Sequence, residues 1–429
     1  MTYGQMNKSE LEAVRDAAAA KLAEYTAEGL KLDLTRGKPG AAQLDITEGM
    51  LGVISTGDDC FSEAGLDCRN YGILDGLPET KKLFSDLLGI PTTRIFVAGN
   101  SSLNLMYDTV ARAMLYGVLG SEKPWSKQGE IKFLCPSPGY DRHFAICESL
   151  GIEMITVDMT PDGPNMDQVR SYVEHDASVK GIWCVPKYSN PDGITYTDEV
   201  VEQMAALKPA APDFRIFWDN AYAVHELTDE FTPLADIFTL AEKYGNVNNI
   251  FYFASTSKIS FPGSGVAIMA ASEANLDQIK PILSCQTIGF DKINQMRHVK
   301  YFGSAEGIME QMKKHAAIMR PKFEIVDRVM REELGETGAA EWIMPKGGYF
   351  ISLYVPEGCA KAVYDECAKA GVALTKAGAT YPYGKDPYDR NLRIAPTFPK
   401  IEDLEKATRV LCEAVKFVAA GKRLQANIG

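Results

Sequence analysis

The stretch "YFASTSKISFPGSG" (Tyr252 to Gly265) sets a single lysine, Lys258, among small hydroxyl residues and glycines directly after an apolar run. A free lysine titrates near ~10.4 and is a poor nucleophile at neutral pH until its surroundings lower that value. Small neighbours leave room for an aldehyde to reach the amine and form an imine. In "FWDNAYAV", Asp219 follows another apolar run and Tyr222 lies one helical turn on. A carboxylate there can hold a protonated ring nitrogen, and the tyrosine hydroxyl can reach a phenolate oxygen on the same ring. "VPKYSNPDG" supplies Asn190, whose amide can donate to that oxygen, and "CPSPGYDRHF" supplies Tyr140, an aromatic face for stacking on a planar ring. "VAGNSSLNLMYDTV" puts Gly99, Asn100, Ser101 and Ser102 between a strand and a helix, where backbone N–H groups and hydroxyls suit a phosphate. "NLRIAP" carries Arg393, whose planar fork suits a carboxylate. Singly, each has an ordinary explanation as a helix cap, a turn starter, a packing aromatic or a surface arginine. Their order along the chain carries the weight.

The elements needed to position them are legible in the pattern. "RIFVAG", "IKFLCPSPG", "IEMITVD", "KGIWCVP", "FRIFWDN", "NIFYFAS" and "GVAIMA" are strand candidates, most of them nearly all apolar, which suits parallel strands covered on both faces. Helical stretches separate most of them, giving βα repeats and a doubly wound α/β core. The last two runs leave no room for a helix, so one strand runs antiparallel. Ligands of such sheets bind beyond the carboxyl ends of the strands, where the polar residues above fall. Ser9 to Leu30 reads as an opening amphipathic helix with Ser9 as N-cap and Gly29 near its end. After about Tyr301 a long helical stretch runs to about Leu334. "GGYFISLYV", a helix, "GVALTKAG", "NLRIAP" and a final helix then make a smaller α+β unit. The expected division is a large α/β domain over 48–320 and a small α+β domain formed by 1–47 and 321–429.

Composition narrows the function classes. The 429 residues suit two domains, and a net charge of −12 without a basic run argues against tight nucleic-acid binding. The nine cysteines are odd in number and lack a C-x-x-C pair, as expected of thiols in a reducing compartment. The five histidines are dispersed without zinc-site spacing, so no metal is expected. A charged, helical start and the lack of a long apolar run point away from a leader or a membrane span and towards the cytoplasm. Neither G-x-x-x-x-G-K-[ST] nor G-x-G-x-x-G occurs.

The succession Asn190, Asp219-x-x-Tyr222, Ser255-x-x-Lys258 and Arg393-x-x-Pro-x-Phe-Pro resembles the class I and II aminotransferases, pyridoxal phosphate (PLP) enzymes of fold type I. The similarity runs from "RGKPG" to "RIAPTFP" and looks nearest to an atypical group of bacterial aspartate aminotransferases. It implies that Lys258 links covalently to the cofactor and that Asp219 pairs with the pyridine nitrogen. Tyr222 and Asn190 would hold the ring hydroxyl, Tyr140 would stack on the ring, and Asn100, Ser101, Ser102, Ser255 and Ser257 would surround the phosphate. Arg393, Gly37 and Asn190 would meet the substrate. Tyr71 in "NYGILDG" matches a tyrosine that reaches the phosphate of the other subunit, implying a homodimer with shared sites. The implied activity is transfer of the amino group of L-aspartate to 2-oxoglutarate by a ping-pong exchange between pyridoxal and pyridoxamine phosphate. One departure stands out. Gly265 or Val266 falls where the family carries a phosphate-binding arginine, leaving Ser264, the helix terminus after Gly99, Lys38, Lys292 and Arg297 as candidates to balance the dianion.

Other readings are a transaminase for aromatic or aminoadipate-type substrates, a PLP β-lyase, and a non-catalytic aminotransferase-like regulatory domain. A panel of amino donors separates the first two from aspartate transfer. The last lacks a helix-turn-helix segment before residue 40. A nucleotide-dependent α/β enzyme would lack the yellow colour that borohydride bleaches.

Overall fold

Most of the apolar runs become strands of one sheet with both faces buried; the run over 153–160 is the exception, with Glu153, Thr156 and Asp158 exposed. The computed structural model describes residues 2–426. From the start of the chain come α1 (Lys8–Glu28), β1 (Leu32–Asp33), α2 (Ala41–Ile46), α3 (Pro78–Leu88), β2 (Ile95–Val97) and α4 (Ser102–Tyr116). The middle alternates: β3 (Lys132–Ser137), α5 (Asp141–Ser149), β4 (Glu153–Thr160), β5 (Gly163–Pro164), α6 (Met166–Val173), β6 (Val179–Cys184) and α7 (Asp198–Ala205). It continues with β7 (Arg215–Asp219), α8 (Ile237–Lys243), β8 (Ile250–Ser255) and β9 (Ala267–Ala271). Next come α9 (Glu273–Leu283), α10 (Lys292–Phe302) and α11 (Ala305–Leu334). The last part holds β10 (Glu341–Trp342), β11 (Ile351–Tyr354), α12 (Ala360–Lys369), β12 (Val372–Ala373), β13 (Asn391–Ile394) and α13 (Ile401–Ala426).

Eight strands form the main sheet in the order β2-β9-β8-β7-β6-β3-β4-β5. The run from β8 through β7, β6 and β3 to β4 is parallel, and β9 is antiparallel to both β8 and β2. The reversed strand is therefore the one expected from the missing helix between β8 and β9. Successive side chains enter opposite cores: Ile216 and Trp218 of β7 pack on one face, Phe217 on the other. Ile250, Tyr252 and Ala254 of β8 repeat that division against Phe251 and Phe253. This two-faced burial is why the strands read as continuous apolar runs.

A second core gathers α1, α13, the three-stranded antiparallel sheet β10-β11-β13 and the later half of α11, including Phe323, Val326 and Met330. The earlier half of α11 contributes Ile308 and Met312 to a smaller, separate cluster with Val224 and Ile259, so this helix packs into two clusters. One local expectation needs correction. Asn7, not Ser9, caps α1: its side chain accepts from the Glu10 N–H while Glu10 accepts from the Asn7 N–H. This reciprocal pair satisfies two terminal donors that Ser9, already inside the helix, cannot reach. The long helical stretch expected from about Tyr301 to Leu334 is α11, which Ser304 starts by accepting from the Gly307 N–H after a break at Gly303, whose φ is 70°. Among the described residues no helix is long and apolar enough to cross a membrane.

Candidate active site

A cleft of about 200 Å³ opens at the carboxyl ends of the parallel strands. Asp219 ends β7, Ser255 ends β8, and Asn190 lies in the loop after β6. Ser101 is the N-cap of α4, and Tyr140 stands just before α5. Gly37, Ser101, Ser102, Tyr140, Asn190, Asp219, Tyr222, Ser255, Ser257 and Lys258 all line this cleft, although 221 residues separate the first from the last along the chain. Leu103, Met106, Val185, Ala221 and Phe350 complete its wall. Sequence reasoning did not name these five, because an apolar wall residue looks like any other core residue until the fold places it.

The Lys258 ammonium lies 4.8 Å from the Tyr222 ring centroid and 5.7 Å from that of Tyr349. Burial pulls its pKa below the ordinary lysine value, and the nearby Asp219 charge partly opposes the shift. The amine is thereby made more nucleophilic while it keeps an attractive counter-charge. Burial, reinforced by Tyr140 and Asp219, pushes the Tyr222 phenol well above its usual range, so it remains a neutral O–H donor.

Asp219 is almost fully buried. Its Oδ2 lies 3.0 Å from His143 Nε2, and its Oδ1 has no hydrogen-bond partner among the described residues. An ionised carboxylate can only accept, so His143 donates from Nε2. The His143 ring is itself fixed, stacked on Trp183 at 4.4 Å and edge-on to Tyr140 at 4.9 Å. A buried carboxylate oxygen left without a donor is costly. A flat ligand with a cationic ring N–H answers that need, and the residues present therefore fit such a cofactor.

Arg393 sits beside the cleft rather than in its lining. It donates to Asp141 Oδ1 at 2.9 Å, Asn190 Oδ1 at 3.3 Å and Thr375 Oγ1 at 3.3 Å. Because the Asn190 oxygen accepts from Arg393, its amide NH₂ is left to serve another acceptor. The Arg393 guanidinium also stacks 4.8 Å above Phe350. Phe350 explains Gly37: a Cβ there would come within 2.2 Å of the Phe350 ring.

Asn100 packs at the edge of the phosphate-sized corner, its carbonyl accepting from Ser257 Oγ at 3.3 Å. Tyr71 is not brought to this cleft and is 79% exposed. At the position expected for a phosphate-binding arginine, a Cβ on Gly265 would already lie 3.2 Å from Asn100 O and 3.3 Å from Ser257 N, and Val266 is buried. Of the other cations, Lys292 is engaged with Gly72 O at 2.9 Å and Lys38 stacks on Phe398 at 3.9 Å. Arg297 reaches Ser264 Oγ at 3.5 Å.

Four of the five histidines, scattered in sequence, converge here. His143 holds Asp219, and His225 packs 5.6 Å from Tyr222. His298 contacts Thr256 and Ser260, and His315 lies 3.1 Å from Gln43 beneath Tyr349. Burial depresses His225 well below the usual histidine range and takes His298 and His315 to about 4, so these three are neutral.

Comparison with known proteins agrees with this geometry. A family model described as "Aspartate amino-transferase" matches residues 6–427. An aspartate aminotransferase of Corynebacterium glutamicum is 46% identical over 401 residues, covering 93% of this chain and 92% of the relative. A putative aminotransferase of Mycolicibacterium smegmatis is 46% identical over 408 residues, covering 95% of each chain. The crystal structure of an aspartate transaminase from C. glutamicum superposes with a TM-score of 0.96 at 43% identity, covering 99% of both chains.

Proposed function

Because the chain belongs to the aspartate aminotransferase family, and so is a PLP-dependent aminotransferase of fold type I, we propose that it moves the amino group of L-aspartate to 2-oxoglutarate, giving oxaloacetate and L-glutamate. The observation that carries the catalytic reading is the cleft itself, where a lysine of lowered pKa faces a buried carboxylate with one oxygen unanswered. The choice of aspartate rests on the named C. glutamicum relative.

In this reading Lys258 would be the attachment point for PLP, and Asp219 Oδ1 would accept from the ring nitrogen. Tyr222 and Asn190 would donate to the ring hydroxyl, and Tyr140 would stack on the ring. Ser101, Ser102, Ser255 and Ser257, with the α4 N-terminus, hold the phosphate, and Asn100 shapes that corner. Arg297, which reaches Ser264 Oγ at 3.5 Å, is our choice for the balancing cation. When bound, PLP supplies the electron sink for a carbanion at the substrate Cα and carries the amino group between half-reactions. Lys258 Nζ would be the base that takes the substrate Cα proton. The buried negative charge of Asp219 would keep the ring nitrogen positive, a charge already in place before the reaction begins. Arg393 would grip the substrate α-carboxylate and so orient its Cα. Arg393→Lys, which loses the planar fork, is expected to raise KM for the amino donor about tenfold to a hundredfold with a smaller change in kcat, as steady-state kinetics will report. Gly37→Ala is expected to displace Phe350, raising KM and costing about 1–3 kcal/mol of stability, which kinetics and thermal unfolding measure separately.

The proposed domains, 48–320 and 1–47 with 321–429, follow the separation between the cores flanking the large sheet and the core built on α1 and α13. We further propose a homodimer with Tyr71 reaching the partner's phosphate. Tyr71, Leu51 and Ile288 leave large apolar surfaces in water, which a second copy would bury. A cytoplasmic location is consistent with free thiols, mostly buried, among the described residues. A panel of amino donors with 2-oxoglutarate tests the substrate choice. Aspartate should give the highest kcat/KM, and a higher value for aromatic or aminoadipate-type donors would overturn it.

A further inference from the structure

The loop that carries Lys258, from Thr256 to Val266, contains only turns and one 3-10 segment, Pro262–Ser264. A misplacement of a reactive amine by about 1 Å can cost about a hundredfold in rate. Turns within the loop and Gln311 of α11, which donates to Ile259 O at 2.5 Å, hold part of it. Two further restraints come from α10. Asn294 and His298 stand four residues apart, on one face of that helix, and both are buried. Asn294 Nδ2 donates to Ser264 O at 3.1 Å and Gly265 O at 2.8 Å, while its Oδ1 accepts from Ser264 Oγ at 3.1 Å. His298 Nδ1 lies 2.8 Å from Asn294 O, and a carbonyl can only accept, so the proton is on Nδ1. Nε2 is then an acceptor, facing Ser260 Oγ at 2.8 Å and Thr256 Oγ1 at 3.0 Å. Those hydroxyls stand two residues to either side of Lys258. Thr256 Oγ1 also accepts from the Val266 N–H at 2.9 Å, tying the two ends of the loop together.

We propose that Asn294 and His298 of α10 are positioning residues for Lys258, one fixing the far end of its loop and the other fixing both flanks through a neutral Nδ1–H imidazole. The inference rests on the reading of Lys258 as the attachment point. Burial holds His298 at about 4, so the acceptor at Nε2 persists across the neutral range. Neither side chain lines the cleft, so their effect on chemistry passes through the loop.

The test uses the full chain stripped of cofactor and follows, by absorbance, the pH dependence of its combination with added pyridoxal phosphate. Lys258 held in its buried position should combine with a midpoint below the ~10.4 of free lysine. His298→Leu removes the acceptor. It is expected to raise that midpoint by about one unit and, in the loaded enzyme, to lower kcat about tenfold with KM held within about twofold. His298→Gln, whose amide oxygen can accept from the same hydroxyls, should restore the midpoint. Thr256→Val and Asn294→Ala should move it in the same direction as His298→Leu, and they decide the matter if the leucine variant does not fold. Folded variants that keep the unaltered midpoint and kcat would overturn the proposal. Failure of the unaltered chain to combine at Lys258 would instead overturn the reading on which it rests.

Discussion

Lys258→Ala is expected to abolish turnover, lowering kcat with aspartate by at least about 10⁴-fold, the upper range for loss of a general base. The lysine has two proposed duties, covalent attachment and proton removal, and no other amine lines the cleft among the described residues. Removing it also deletes an ammonium whose charged form burial already disfavours. The melting temperature should therefore hold or rise slightly, which separates a chemical defect from a folding defect. Stopped-flow absorbance after adding PLP should lack the yellow lysine-bound species, and steady-state assays should find no oxaloacetate above background. Retained turnover would remove Lys258 from its role.

Asp219→Asn is expected to have the next largest effect, lowering kcat about 10³-fold, or about 4 kcal/mol of transition-state stabilisation. The substitution keeps shape and removes charge. An amide oxygen can still accept from His143 Nε2, so the change in stability should be small. What disappears is the negative charge on the buried, unpartnered Oδ1 that is proposed to face the ring nitrogen. Asp219→Ala should lose a similar amount of rate and also leave His143 buried without its acceptor, at a cost of about 1–3 kcal/mol. Comparing kcat and thermal unfolding for the two variants separates the electrostatic role of Asp219 from its structural one. Equal kcat in Asp219→Asn and the unaltered enzyme would contradict the first.

Much of this site was legible in the sequence because the fold obeys a simple rule. Parallel strands buried on both faces read as apolar runs, and residues just after such runs lie along one edge of the sheet. Asp219, Ser255 and Asn190 meet for that reason. What escaped was contact made only by tertiary packing. His143, in "GYDRHF", lies on α5 and meets Asp219 from a strand 76 residues away, which no local spacing encodes. His298 and His315 lie on the long helices α10 and α11, where a lone histidine looks like any buried position. The two-residue strands β1, β5, β10 and β12 likewise exist through their pairing partners rather than through β propensity. Gly37 was noted for a backbone contact, but its physical requirement, the Phe350 ring, lies more than 300 positions along the chain.

The central claim is best tested by reducing the PLP-loaded enzyme with borohydride, digesting it and locating the modified residue by peptide mass. The account predicts one phosphopyridoxyl group per chain, on the peptide containing "STSKISF" and at Lys258. A label on any other amine, or an unlabelled protein that still transaminates, would contradict it.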